Sequence, residues 1–371
     1  MTQTQTELRH TLHQHPELSN EETETAERIC AFLADFAPDR ILTGLGGTGL
    51  AAIYEGGSPG PCLLFRSELD ALPIEETGAF DHRSMTPGVS HKCGHDGHMT
   101  IVAGLAPHFH ERRPARGRVV LLFQPAEETG EGAARILDSA DFRSLAPDQV
   151  YALHNLPGFP LGTVVLRDGV FAAGSTGMVA RFLGTTSHAA EPEKGRSPAL
   201  AMAELITTLG QRDVGADTFA TIIHARLGDR AFGVTPGFAE TFATLRSSDA
   251  ELLAGLCKSA MTAVQELSTR HGLRSEVEWV EEFSVTRNST DCVSRVRRAA
   301  EDLGVPVLVP IEPFRWSEDF GRFTDIYDGS LFGMGAGEEQ PALHRPEYDF
   351  PDALLERGTR LLLTVARSEL G

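Results

Sequence analysis

Cys93-Gly94-His95-Asp96-Gly97-His98 packs a thiol, two imidazoles and a carboxylate into six residues, and its glycines let the backbone bend tightly around something small. Thiolate, imidazole and carboxylate form a borderline donor set suited to zinc, manganese or a related first-row ion. The stretch supplies half of a metal site. The other half must come from farther along, where Glu127-Glu128, His154 and His344 are candidates. More than four donors point to two ions rather than one. Adjacent Glu127 and Glu128 cannot point the same way, which suits a division of labour. One carboxylate would hold metal while its neighbour takes a proton from an attacking water.

Competing chemistries fail on the residues. There is no Gly-x-Ser-x-Gly elbow, since Ala173 precedes Gly174-Ser175-Thr176-Gly177. No Pro-Cys-x-x-Cys supports a zinc deaminase. Gly333-x-Gly335-x-Gly337 is followed by no clear helix, so it reads as the lining of a cleft rather than a phosphate loop.

The elements that must position these groups alternate. Ser19 to Glu22 resembles a capping box opening an amphipathic helix with Ala26, Ile29, Cys30, Leu33 and Phe36 on its apolar stripe. Strands are expected at Leu50 to Tyr54, Cys62 to Phe65, Arg118 to Phe123 and Val150 to Leu153. Helices are expected at about His98 to His110 and Gly132 to Ala140. The Cys62 strand is nearly all apolar and therefore buried on both faces. This is an α/β signature. Asp70, Glu127-Glu128 and His154 each follow a strand, and the crevice outside the carboxyl ends of strands is where open α/β sheets bind ligands.

The texture changes between Thr176 and Glu282, where two helices (Ser197 to Leu209, Asp249 to His271) and about four strands form a compact α+β insert. Ser289 to Leu303 then returns to helix, with a last strand at Leu331-Phe332 and a final helix at Asp352 to Val365. The expected division is a discontinuous α/β/α catalytic domain, residues 1–175 and 283–371, interrupted by an α+β domain over 176–282.

Composition sets outer bounds. A chain of 371 residues exceeds what one hydrophobic core usually reaches, so two domains are expected. A formal net charge of -19 argues against nucleic acid or an anionic membrane as partner. No apolar run is long enough to cross a bilayer and residues 1–9 are polar, which reads as cytoplasmic. The five cysteines are odd in number and scattered, which fits reduced thiols; all but Cys93 read as small core residues.

Several segments in fixed order carry a resemblance. They are Leu12-His13-Gln14-His15-Pro16-Glu17-Leu18, Arg66 to Pro73, Cys93 to His98, Gln124 to Glu128, Leu153-His154-Asn155-Leu156-Pro157, Thr186 to Ala190, Ser317-Glu318-Asp319-Phe320, and His344 before Asp349-Phe350-Pro351. Over about residues 7 to 365 the chain resembles the aminoacylase/hippurate hydrolase family of metallo-amidohydrolases. Relatives there include indole-acetyl-amino-acid hydrolases and N-acetyl-diaminopimelate deacetylases, within a wider glutamate carboxypeptidase-like superfamily.

The resemblance implies a centre of two divalent ions, manganese or zinc, in which Cys93 bridges and His95, Glu128, His154 and His344 complete the ligation. It implies Glu127 as general base, Asp96 as support behind a ligand, and His98 at the start of the next helix. The insert would be a dimerisation or lid domain of a homodimer. From it His188 would reach a substrate carbonyl across the partner subunit, and Arg246, at the end of the Phe238 to Leu245 strand, would clamp a substrate carboxylate.

Two departures bear on substrate choice: Gly233-Val234-Thr235-Pro236 stands where relatives often carry Asn-Val-Ile-Pro, and Pro192-Glu193-Lys194-Gly195 where they often carry Pro-His-x-Gly. The expected activity is hydrolysis of the amide of N-acyl amino acids or related small acyl amides. The alternatives are a dipeptidase or carboxypeptidase on the same centre and a non-catalytic metal-binding scaffold.

Overall fold

Apolar runs too long to leave either face in water build the centre of the molecule. In the computed structural model, which describes residues 4–210 and 217–371, every residue of the Cys62–Glu68 strand is buried. That strand lies between Arg118–Gln124 and Gln149–Pro157 and is parallel to both. Across the eight-stranded sheet the order is Arg40–Leu45, Gly49–Glu55, Arg118–Gln124, Cys62–Glu68, Gln149–Pro157, Asp328–Gly337, Val164–Val165 and Val307–Leu308. Helices including His95–Ala103, Thr290–Asp302 and Ala353–Leu370 share one hydrophobic core with it through Ile101, Val293, Val296, Leu361 and Leu362. Sheet and helices form one compact unit made of three stretches of chain, up to Phe171, Thr286–Pro313 and Glu318–Gly371.

Register decides where the chemistry lies. Glu68 pairs with Gln124, and His154 pairs with Gly333, so the central parallel strands present their carboxyl ends side by side. Asp70 and Glu127-Glu128 follow two of those ends, while His154, expected after its strand, lies inside Gln149–Pro157 near its carboxyl end; open parallel sheets bind ligands at this edge.

The second unit comprises Ala172–Val285 with Phe314–Ser317. Its antiparallel sheet runs Arg274–Phe283, Gly174–Leu183, Phe238–Ser247, Thr218–Leu227, and the helices Ala199–Gly210 and Ala250–His271 pack on it. Burial alternates strictly along Phe238–Ser247, the mark of a sheet with one covered face. Met178, Phe182, Leu205, Leu209, Leu245 and Leu256 fill the interior.

Some local expectations change. Ser19 and Glu22 form no capping box: the helix begins at Thr23 with no side-chain cap. The Ser19 hydroxyl donates instead to Asp70 Oδ2 at 2.7 Å, and Glu22 accepts from Thr48 and from the Ala126 amide, both at 2.8 Å. A capping box does occur earlier, between Thr4 and Glu7, opening the helix Gln5–Gln14. Gly333 and Gly335 lie inside the last strand, where a Cβ on Gly335 would collide with the Pro160 carbonyl. Their role is close strand packing rather than lining a cleft. Among the described residues no helix is long and apolar enough to cross a membrane.

Candidate metal centre

The helix His95–Ala103 starts directly at the Cys93 turn, because Gly94 takes φ +91° in the left-handed region and serves as its N-cap. This puts His95 in the first helical turn and Cys93 just before it. From 61 residues away, His154 brings its Nε2 to 3.4 Å from Cys93 Sγ. The donor atoms of Cys93, His95 and His154 all lie within 4.8 Å of one another, as do those of Cys93, Glu128 and His344 and those of His95, Glu127 and Glu128. Cys93 belongs to two of these groups and joins them.

His95 and His154 are each held by the other ring nitrogen. His95 Nδ1 donates to the Asp70 carbonyl at 2.8 Å, and His154 Nδ1 donates to the Asn155 carbonyl at 2.9 Å. Carbonyls only accept, so these bonds place a proton on each Nδ1 and turn the Nε2 atoms inward, where a cation would take the place of any proton on them. His95 Nε2 lies 3.8 Å from both Glu127 Oε2 and Glu128 Oε1, and it has no hydrogen-bond partner. Glu128 Oε1 is likewise buried without one, and lies 3.8 Å from His344 Nε2. A buried nitrogen and a buried oxygen left unpaired beside a thiol fit divalent cations of the zinc and manganese class.

Two strained residues aim the outer donors. Ala126 has φ +51°, separating the neighbouring carboxylates, and the Glu128 amide donates to Asp70 Oδ2 at 3.0 Å. His344 has φ +64° and its amide donates to the Lys92 carbonyl at 2.8 Å. Non-glycine residues hold such conformations only when their surroundings fix them.

The electrostatics demand positive charge. Burial, reinforced by Glu128 and Glu127, pushes the Cys93 thiol well up. Burial also raises Glu127 well above the carboxylate range, with Glu318 and Glu128 adding to it, and raises Glu128 to about 7. Burial opposes charge on His95, yet its bond to Asp70 and the charges of Glu68 and Glu128 raise it to about 10. His154 falls to about 3 through burial and the neighbouring His98.

Other expected residues lie elsewhere. Asp96 does not support a ligand: Oδ2 accepts from Arg9 at 3.1 Å and His13 at 2.8 Å. One helical position turns the side chain by about 100°, so Asp96 faces away from the donor that His95 presents. Asp70 is the residue behind His95. His98 falls within the first helical turn rather than starting the helix; its Nδ1 lies 2.8 Å from Glu68 Oε2 and its Nε2 meets the Asn155 amide. Glu68 in turn pairs with buried Arg66, which also holds Glu318 at 2.9 Å and Asp319 at 2.5 Å. Arg66, Glu68 and Asn155 fall within segments that carry the family resemblance but received no role from the sequence; the further signals were buried ionisable residues on an apolar strand and an amide beside His154.

His188 and Arg246 belong to the second unit. His188 is exposed, and its backbone pairs with Val234 beside Gly233, whose carbonyl accepts from Ala189 at 3.0 Å. Arg246 Nη1 donates to the Arg315 carbonyl at 2.8 Å and to Ser317 Oγ at 2.6 Å.

The family model of peptidase family M20/M25/M40 matches residues 64–368, a span that contains every donor of the centre. The chain belongs to this family. Its membership makes it a hydrolase of amide bonds. Among M20 relatives, N-acetyl-L-cysteine deacetylase of Bacillus subtilis is 30% identical over 97% of this chain and 86% of that protein. N-acetyldiaminopimelate deacetylase of Bacillus licheniformis is 29% identical over 96% of each. The crystal structure of the Bacillus subtilis YXEP protein, a dinuclear metal binding peptidase from the M20 family, superposes with a TM-score of 0.83. It is 25% identical and covers 99% of this chain and 97% of its own.

Proposed function

We propose that this M20 chain is a divalent-metal-dependent amidohydrolase that cleaves the amide of N-acyl amino acids. The convergence of Cys93, His95 and His154 within 4.8 Å, beside two carboxylates of which one can stay unligated, carries the reading. Cys93 would bridge two ions, manganese or zinc, with His95, Glu128, His154 and His344 completing their ligation. When bound, such ions polarise a substrate carbonyl and make water acidic enough to lose a proton near neutral pH.

Glu127 supplies the proton traffic. Its buried carboxylate takes a proton from the water whose oxygen attacks the carbonyl carbon, and returns it to the leaving nitrogen as the C–N bond breaks. The products are a carboxylic acid and a free amine. Asp70 keeps the His95 proton on Nδ1 throughout, and Arg66 neutralises Glu318 and Asp319 near Glu127.

The working form would be a cytoplasmic homodimer joined through the inserted unit, residues 176–282, with His188 acting on the substrate of the partner subunit. The deacetylase relatives support an N-acyl amino acid as substrate. Arg246 would grip its carboxylate through the guanidinium edge that Arg315 and Ser317 leave unused.

A panel of N-acyl amino acids, their carboxylate-free amides and dipeptides, assayed on metal-reconstituted protein for release of free amine, tests the reading. The N-acyl amino acids should be cleaved best, and Arg246→Ala should raise KM for them while sparing the amides. Preference for a free amino terminus would show a dipeptidase, and equal cleavage of acids and amides would remove the carboxylate from recognition.

A further inference from the structure

The candidate ligands come from four segments remote in sequence, and something must set the distances between the three that carry Cys93, His154 and His344. One side chain touches all three neighbourhoods. Asn155 follows His154 on its strand, and its amide lies directly over Gly94, between Cys93 and His95: a Cβ on Gly94 would stand 2.5 Å from Asn155 Oδ1 and 2.9 Å from its Cγ. Gly94 is therefore required twice, by its φ of +91° and by this contact.

Both ends of the amide are engaged. Asn155 Nδ2 donates to the Tyr348 hydroxyl at 2.5 Å, and Oδ1 at the other end meets His98 Nε2. Tyr348 is fully buried, and its carbonyl accepts from Lys92 Nζ at 2.7 Å. The Lys92 carbonyl in turn holds the His344 amide. Asn155 thus ties the His154 strand to the Cys93 turn and, through Tyr348, to the loop that carries His344.

We propose that Asn155 is a positioning residue that sets the spacing of Cys93, His154 and His344, and that it does so as a flat amide packed on Gly94. This rests on the reading of those residues as metal ligands. No smaller side chain fills the space over Gly94 while satisfying Tyr348 and His98, and aspartate would add a buried negative charge across the His98 ring from Glu68.

The test uses Co²⁺ alone as probe on chelator-stripped protein, comparing wild type, Asn155→Ala and Tyr348→Phe. Affinity is read by competition with a chelating dye, and the sulfur-to-cobalt absorption band reports Cys93. Asn155→Ala should bind roughly 10–100-fold more weakly, the usual cost of losing support behind a ligand, with a shifted or weakened band and a fall in kcat at nearly constant KM. Tyr348→Phe, which removes one hydroxyl and keeps the ring, should move affinity and band in the same direction by less, and it carries the test if Asn155→Ala folds poorly. Variants that melt earlier yet keep wild-type affinity and spectrum would overturn the proposal, leaving Asn155 a packing residue. Wild type that binds no Co²⁺ would overturn the metal centre itself, and the proposal with it.

Discussion

Cys93 Sγ lies 3.4 Å from His154 Nε2, while the His154 Nδ1 proton is committed to the Asn155 carbonyl. A thiol and an imidazole lone pair turned toward one another inside a buried carboxylate cluster form a site for a cation. Cys93→Ser should therefore lower metal content, because a neutral hydroxyl is a poorer bridge for zinc or manganese than a thiolate. Elemental analysis of purified protein checks this. Unchanged metal in both Cys93→Ser and Cys93→Ala would remove Cys93 from the centre.

Glu127 and Glu128 should separate by phenotype. Glu127→Gln should keep its metal and lose roughly 10²–10⁴-fold in turnover, as expected for a general base. Glu128→Gln should lose metal as well, since its Oε1 is the one that faces both His95 and His344. Metal analysis beside steady-state rates distinguishes the two, and the reverse pattern would exchange their roles.

The reach of sequence reading follows from where each signal resides. Cys93 and His95 stand out because donor types crowd into six residues, and Glu127 and Glu128 because they follow an apolar strand; His154 and His344 are candidates whose ligand role comes with the family resemblance. The parallel sheet with aligned carboxyl ends brings the strand-borne residues to one edge. Ser19 and Glu22 mislead for a related reason. They have the spacing of a helix cap, but long-range bonds to Asp70, Thr48 and Ala126 claim their side chains. Local spacing also cannot tell Asp96 from Asp70, since only the helix orientation shows which carboxylate lies behind His95. Asn155 is legible only once Gly94 is seen beneath it.

His188 should act across subunits. An inactive Glu127→Gln chain mixed with an inactive His188→Ala chain should form heterodimers in which one site is complete, recovering a fraction of wild-type rate. No recovery in verified heterodimers would confine His188 to its own chain or place it outside catalysis.

Buried charge away from the candidate ligands should shape stability. Although burial opposes it, Asp96 and Glu76 raise His13 from 6.5 to about 9, so its contribution is complete below pH 6.5 and lost as pH rises through 9. Glu76 is lowered from 4.5 to about 2 against the effect of burial, by His13 and Lys92, so its contribution is present above pH 4.5 and lost as pH falls through 2. Melting of chelator-treated protein should therefore be highest between about pH 4.5 and 6.5 as far as this pair is concerned. The gap between wild type and His13→Asn should narrow from pH 6 to pH 9.5, and a gap that stays constant would show that His13 is neutral in the folded chain.

The most direct test is a titration of chelator-stripped protein with Mn²⁺ or Zn²⁺ while free amine released from an N-acetyl amino acid is followed. No turnover is expected without metal, and the rate should climb until two ions are bound per chain. Amine release that persists at full rate without metal would contradict the two-ion reading, as would saturation of both binding and rate at a single ion.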